Sequence, residues 1–279
     1  MSLQSLWRML VVASIVAGCA RTPYTNRSQL ILVSAAEESK LGAQAYREVL
    51  SKGTVVRDAS VTRPVLEVGH RLARAANRPE FKWEFSVIED AKQANAFALP
   101  GGKVAVYTGI VPVAQTTNGL AVVLGHEIAH VLARHGAERM SQGLVTQAGG
   151  SLLGAVFGGG ATANAVMAAY GLGAQLGVLL PYSRTQESEA DHIGLLLMAR
   201  AGYDPREALA FWKRMETASS GGQPPEFMST HPSHGTRETQ IQAWLPEALR
   251  YYDASARAPD ERLASAMHER VVVVRAFPR

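Results

Sequence analysis

The stretch Asn118–Leu132, NGLAVVLGHEIAHVL, decides how the rest of the chain is read. Leu120, Val122, Val123, Leu124, Ile128, Val131 and Leu132 make it apolar nearly all round, so a helix formed here is a buried one. The same helix nevertheless carries His126, Glu127 and His130. Four residues advance an α-helix by about 6 Å and return nearly to the same face, which lets both imidazoles reach one metal ion. Glu127 stands about 100° further round, close enough to touch a water on that metal without being a ligand. With 8 histidines and 24 acidic residues in 279 positions, composition alone yields such a pentapeptide with a probability of roughly 0.02. The bland reading is a polar helix face with two solvated histidines. Burial argues against it, because buried polar groups need partners and a metal supplies them. The helix is expected to run from about Asn118 to Met140, capped by Thr117 or Asn118. His135 then complements the negative dipole at its C-terminal end.

Around this helix the periodicity predicts an α+β fold, predominantly helical, with a small sheet beside the metal helix. Glu37 to Ser51 is helical, with Leu41, Ala45 and Val49 at four-residue spacing, and Arg63 to Ala76 carries the stripe Val65, Val68, Leu72 and Ala76. Trp83 to Ile88 alternates with period two. Ala96–Leu99 and Lys103–Tyr107 are joined by Pro100-Gly101-Gly102, which signals a hairpin. Further helices are expected over Ser183–Ala201, from Asp204-Pro205 to about Ala218, and over Thr236–Tyr252. Met140 to Ser183 holds no charged side chain, but Gly159-Gly160, Thr162 and Asn164 interrupt it. Two small-residue helices packed on the core suit it better than a membrane span.

Composition narrows the classes. A chain of 279 residues, 47% hydrophobic and 19% charged, is globular rather than disordered. A net charge of +4 without a long basic run speaks against nucleic-acid binding. The single cysteine excludes an intrachain disulfide and lies at position 19. It follows Arg8 and the nine-residue, mainly apolar stretch Met9–Ala17, a signal-peptide length far short of the roughly 20 needed to cross a bilayer. Val16-Ala17-Gly18-Cys19 resembles the bacterial lipobox, in which the cysteine is acylated and becomes the mature N-terminus. Several acyl chains at about 0.8 kcal/mol per buried CH₂ anchor firmly. Ala20 stands where an aspartate would favour inner-membrane retention, so the outer membrane, facing the periplasm, is the expected location. Residues 1–18 are thus read as a lipoprotein signal peptide and 19–35 as a tether. Residues 36–252 form the domain, and 253–279 are a tail with no assigned role.

A catalytic zinc needs a third protein ligand and one open position. Glu187, Glu189, Asp191, His192, His231 and His234 are the downstream candidates, and Glu187 and Asp191 fall on one helix face. Ser183-Arg184, Glu187 and Ala190-Asp191 meet the pattern S-R-x-x-E-x-x-A-D. With the His126–His130 helix, this resembles peptidase family 48, zinc endopeptidases that include the heat-shock protease HtpX, the CAAX prenyl proteases and periplasmic lipoproteins. Asn95–Gly102, Tyr107-Thr108-Gly109 and Ser229-Thr230-His231-Pro232 match as well, so the likeness spans about Glu37 to Leu245. The chain lacks the obvious membrane helices of HtpX and the C-terminal TPR repeats of some periplasmic members.

The resemblance implies a zincin-like core in which His126, His130 and Glu187 bind one Zn²⁺ per chain. It also implies Glu127 as general base and Asp191 as the group orienting one histidine, the first by preference. Substrate binding is expected at a strand edge, on Asn95, Ala96, Phe97 and Ala98 or on Lys103 and Val104, by addition of an extended peptide. Such recognition reads little sequence, which suits clearance of unfolded or misfolded envelope proteins. The rival is a chaperone-like zinc lipoprotein that binds those clients without cutting them; an intact Glu127 argues for catalysis. His231 lies in a loop bracketed by Pro224-Pro225 and Gly235. It is read either as a latch on the zinc's fourth position in a resting state or as a donor to the tetrahedral oxyanion.

Overall fold

The computed structural model describes residues 19–156, 183–219, 225–231 and 235–263. A short antiparallel hairpin, β1 (Cys19–Arg21) and β2 (Ser28–Leu30), leads into α1 (Ala35–Lys52) and α2 (Ala59–Ala76). Ser34 caps α1 by accepting from the Glu37 N–H, and Asp58 caps α2 by accepting from Ser60. The expected stripe of α2 is buried, Val65, Val68 and Leu72 completely.

Next come β3 (Glu84–Ile88), β4 (Ala96–Leu99) and β5 (Lys103–Tyr107), in the spatial order β3-β5-β4. The hairpin is the one the sequence predicts: Leu99 pairs with Lys103, and Pro100-Gly101-Gly102 makes the turn. Gly101 and Gly102 have φ of +81° and +85°, a conformation glycine adopts without a Cβ penalty. β5 runs antiparallel to β4 and parallel to β3, so it is the central strand. One face of the sheet packs Ile88, Phe97, Leu99 and Ala105 against Tyr46 of α1. The other adds Val87, Ala96, Ala98, Val104 and Val106 to the main core.

That core is built on the remaining helices: α3 (Val111–Ala114), α4 (Thr117–Leu132), α5 (His135–Val156), α6 (Arg184–Arg200), α7 (Glu207–Ser219), α8 (Glu226–Thr230) and α9 (Arg237–Ala254). The architecture is therefore α+β and predominantly helical, with the small sheet beside α4. As its composition requires, α4 is buried along nearly its whole length. Thr116, one residue before the expected caps, accepts from the Gly119 N–H and starts it. A strap from the C-terminal side reinforces that end: the Thr117 N–H donates to the Glu261 carbonyl and the Asn118 N–H to Asp260 Oδ1, while Leu263 is buried. A carboxylate at a helix N-terminus also opposes the macrodipole favourably.

Three sequence expectations change. The metal helix stops at Leu132 rather than Met140, because Arg134 takes φ +57° and its guanidinium donates to Glu38 and to the Val33 carbonyl. His135 consequently opens α5 and does not sit at the C-terminus of α4. Within residues 19–35, read as a tether, β1 and β2 form a hairpin and Val33 is buried. Of the two small-residue helices expected in Met140–Ser183, only the part of α5 up to Val156 falls within the described residues. Among the described residues, no helix is long and apolar enough to cross a membrane.

α4 and α6 cross where Gly125 faces Gly194. A Cβ on Gly194 would lie 2.9 Å from the His126 nitrogen and 3.0 Å from the Gly125 carbonyl carbon. Gly194→Ala should therefore push the two helices apart and cost about 1–3 kcal/mol, read as a lowered urea midpoint at unchanged m-value.

Candidate metal centre

The crossing of α4 and α6 brings His126, His130 and Glu187 together, as the sequence reading requires, and α8 delivers His231 to the same point. One donor atom from each of the four lies within 4.8 Å of all the others, and all four residues are buried. His126 Nε2 is 3.1 Å from His130 Nε2 and 3.5 Å from Glu187 Oε2. His130 Nε2 is 3.4 Å from Glu187 Oε1. Asp191, one turn beyond Glu187, has Oδ1 3.0 Å from His126 Nδ1. A carboxylate can only accept, so His126 carries its proton on Nδ1 and turns the Nε2 lone pair towards His130.

Lone pairs converging at 3.1 Å repel unless a cation lies between them. The donor set of two imidazole nitrogens and a carboxylate fits a tetrahedral metal with the fourth position left for another ligand. Electrostatics point the same way. Burial opposes a charge on His126, yet Asp191 and Glu187 outweigh it and raise its pKa to about 10, while burial drives His130 well below its ordinary value. Burial acts to raise Glu187, but His231 above all and its contacts with the other two histidines hold it well below the carboxylate range. The buried carboxylates of Glu187 and Asp191 thus favour positive charge at the histidine cluster, whether a proton or a metal ion carries it.

Glu127 sits beside the donors without joining them. Oε2 accepts from the Ala98 N–H at 3.2 Å; Oε1 is buried without a hydrogen bond, 3.2 Å from His231 Nε2. Burial raises its pKa. In this position the His231 ring stacks on Phe227 at 4.4 Å and its backbone N–H donates to the Phe227 carbonyl. Pro232, Ser233 and His234 lie outside the described residues.

The strand residues separate into two groups. Lys103 and Val104 belong to β5, which is paired on both sides and offers no edge; Val104 is a core residue and Lys103 reaches Glu84 and the Lys82 carbonyl. They are withdrawn as peptide-docking positions. The Tyr107 N–H donates to the Asn95 carbonyl, so in antiparallel register Asn95, Phe97 and Leu99 face β5. Ala96 and Ala98 turn their backbone groups to the other side of β4, where no strand pairs among the described residues. Asn95 Oδ1 accepts from the Ala96 N–H, and the Phe97 side chain packs against α1.

The sequence reading missed Arg237. Its Nε donates to Asp191 Oδ2 at 2.6 Å and its Nη2 to Glu187 Oε2 at 2.7 Å, and its guanidinium lies 3.8 Å over the Trp212 ring. His192, one of the downstream candidates, lies elsewhere, stacked on Trp244 and bonded to Glu247. His70 is exposed, edge-on to Phe85. His268 lies outside the described residues.

A buried helix bearing two histidines and a glutamate, completed by a second glutamate from a crossing helix, defines a metallopeptidase centre. Residues 59–245 match peptidase family M48, and the chain belongs to that family. It is similar to the mitochondrial metalloendopeptidase OMA1 of Schizosaccharomyces pombe, 40% identical over 230 residues covering 81% of this chain and 66% of the relative. It is also similar to the metalloendopeptidase OMA1 of Homo sapiens, at 33% over 82% of this chain and 46% of the relative. The putative beta-barrel assembly-enhancing protease of Vibrio cholerae is 33% identical over 82% of this chain and 48% of its own length. The chain thus spans between about half and two thirds of these relatives.

Two outcomes follow from the geometry. Glu187→Ala should abolish stoichiometric metal binding and Asp191→Asn weaken it about 10- to 100-fold, measured by chelator competition. Arg237→Met leaves two buried carboxylates without their partner and should cost about 3–5 kcal/mol in chemical denaturation of the metal-free protein.

Proposed function

We propose that this chain is a zinc-dependent endopeptidase of the bacterial cell envelope that cleaves unfolded or damaged proteins, held to the membrane by a lipid on Cys19. The observation that carries the enzymatic part is the position of Glu127. It is buried beside the metal donors and hydrogen-bonded to the Ala98 N–H on the side of β4 that no strand pairs among the described residues. A single hydrogen bond ties the base to the strand edge, and its other oxygen stands 3.2 Å from His231 Nε2.

Zinc suits the nitrogen and carboxylate donors; when bound, it polarises the scissile carbonyl and makes a water acidic enough to react near neutral pH. The chain's own residues do the rest. Glu127 accepts the proton of the attacking water and returns it to the leaving amine, and its burial-raised pKa suits a group that must both take and give. The outward carbonyls of Ala96 and Ala98, whose N–H groups are held by Asn95 and Glu127, accept main-chain hydrogen bonds from an extended peptide, a mode that requires an unfolded segment. A mainly apolar cleft beside His130, lined by Leu41, Gly42, Phe81, Leu99, Val131 and Met140, accepts a side chain of such a peptide.

His231 acts as the resting latch. Its Nδ1 approaches His126 Nε2 at 3.2 Å and Glu187 Oε1 at 3.0 Å, which supports a place in the fourth position. The envelope location rests on the lipobox-like Val16-Ala17-Gly18-Cys19.

Digestion of an unfolded casein-type substrate tests the enzyme. Glu127→Gln should keep about one zinc per chain and lose roughly 10²- to 10⁴-fold in turnover; equal digestion by both proteins would sink the proposal. His231→Ala should raise basal digestion if it is a latch, whereas a fall in kcat would make it an oxyanion donor. Cys19→Ala should abolish incorporation of labelled fatty acid and release the protein from membranes.

A further inference from the structure

His130 has a partner on its other nitrogen. Its Nδ1 lies 2.8 Å from His135 Nδ1, and His135, fully buried, has Nε2 2.9 Å from Glu189 Oε2. The Glu189 carboxylate can only accept, so His135 is protonated on Nε2, and its Nδ1 accepts from His130 Nδ1–H. That leaves the His130 Nε2 lone pair aimed into the metal centre. His126 is aimed the same way, more directly, by Asp191.

What fixes Glu189 comes from the far end of the chain. Arg27 Nε donates to Glu189 Oε2 at 2.8 Å, and Thr25 Oγ1 donates to Glu189 Oε1. The same guanidinium makes a bidentate bond to Glu138 of α5, at 2.6 and 2.7 Å, and Glu138 also accepts from Gln186 of α6. Arg27 and Thr25 lie in the β1–β2 loop, where Thr22 Oγ1 meets Thr25 Oγ1 at 2.6 Å and accepts from the Arg27 N–H. Glu138 and Glu189 are almost wholly buried, so each cation bond to them is charge-assisted and poorly screened.

We propose that the β1–β2 hairpin is a positioning element of the metal centre: Arg27 and Thr25 hold Glu189, Glu189 fixes the tautomer of His135, and His135 aims His130 at the metal. Glu189, His135 and Arg27 are positioning residues, none of them touching the metal or the substrate. The inference rests on the metal reading above and adds to it a control reaching from the segment that begins at Cys19. A hairpin pulled from its seat withdraws Arg27, frees Glu189 to turn, and lets the His130 ring rotate, without any change in the ligands themselves.

The test is zinc affinity of the full chain by chelator competition, together with the visible spectrum of the cobalt(II)-substituted protein, which reports ligand orientation. Glu189→Gln and His135→Gln should each weaken zinc about 10- to 100-fold and shift the cobalt bands. The double variant should bind no more weakly than the worse single, since both cut one path. Arg27→Met should move both readouts in the same direction and Arg27→Lys less far. Melting of the metal-free proteins identifies any variant that fails to fold, and Thr25→Val, in the partly exposed loop, then reads the same path with Glu189 intact. Wild-type protein that binds no zinc would bring down the metal reading and this proposal with it. Wild type at one zinc per chain, with His135→Gln, Glu189→Gln and Arg27→Met all within about twofold of it, would overturn the positioning role alone.

Discussion

Everything in this molecule is arranged around an electrostatic demand that the protein chain alone meets poorly. Three imidazoles and a carboxylate share one buried point, and only a positive charge among them makes that arrangement stable. The fold supplies the geometry through the tight crossing of α4 and α6, where two glycines let the backbones approach until the ligands on each helix reach a common centre. Arg237 answers the same demand from outside. It bonds Asp191 Oδ2 and Glu187 Oε2, while Asp191 Oδ1 and Glu187 Oε1 lie 3.0 Å from His126 and His231.

The parts of this design that were legible in the sequence are those written in local spacing. The i, i+4 histidines, the Pro-Gly-Gly turn, the stripe of α2 and the Glu187–Asp191 pair each follow from residues within a turn or two of one another. The missed parts have no local signature. Arg237 lies 46 residues from Asp191 along the chain and meets it only through the packing of α9 on α6. The break after Leu132 depends on an arginine in a left-handed conformation, while the residue type that normally announces such a bend, Gly136, stands two positions later. Once the break is known, His135 ceases to be a helix-end charge and becomes a buried partner of His130.

Strand order was the other hidden quantity. Two apolar runs about a tight turn predict pairing with each other, and say nothing about which of them takes a third strand. β3 chose β5, in parallel, and that choice alone decides that Ala96 and Ala98, rather than Lys103 and Val104, present backbone groups outward. It also explains why Glu127 is tied to Ala98: the open edge of the sheet faces the metal helix.

The strap over the N-terminus of α4 has a consequence for the order in which the molecule is made. Asp260 and Glu261 bond to residues 142 to 144 positions earlier, and Arg237 and His231 join ligands that precede them by 44 to 105 positions. Contacts of such span close late, since the loop between them must first be synthesised and then ordered. On the ribosome the metal helix therefore lacks its lid and its charge partners until nearly all of the described chain has emerged. A metal centre whose last histidine and whose arginine partner lie among the last described segments stays incomplete for as long as the nascent polypeptide is itself unfolded.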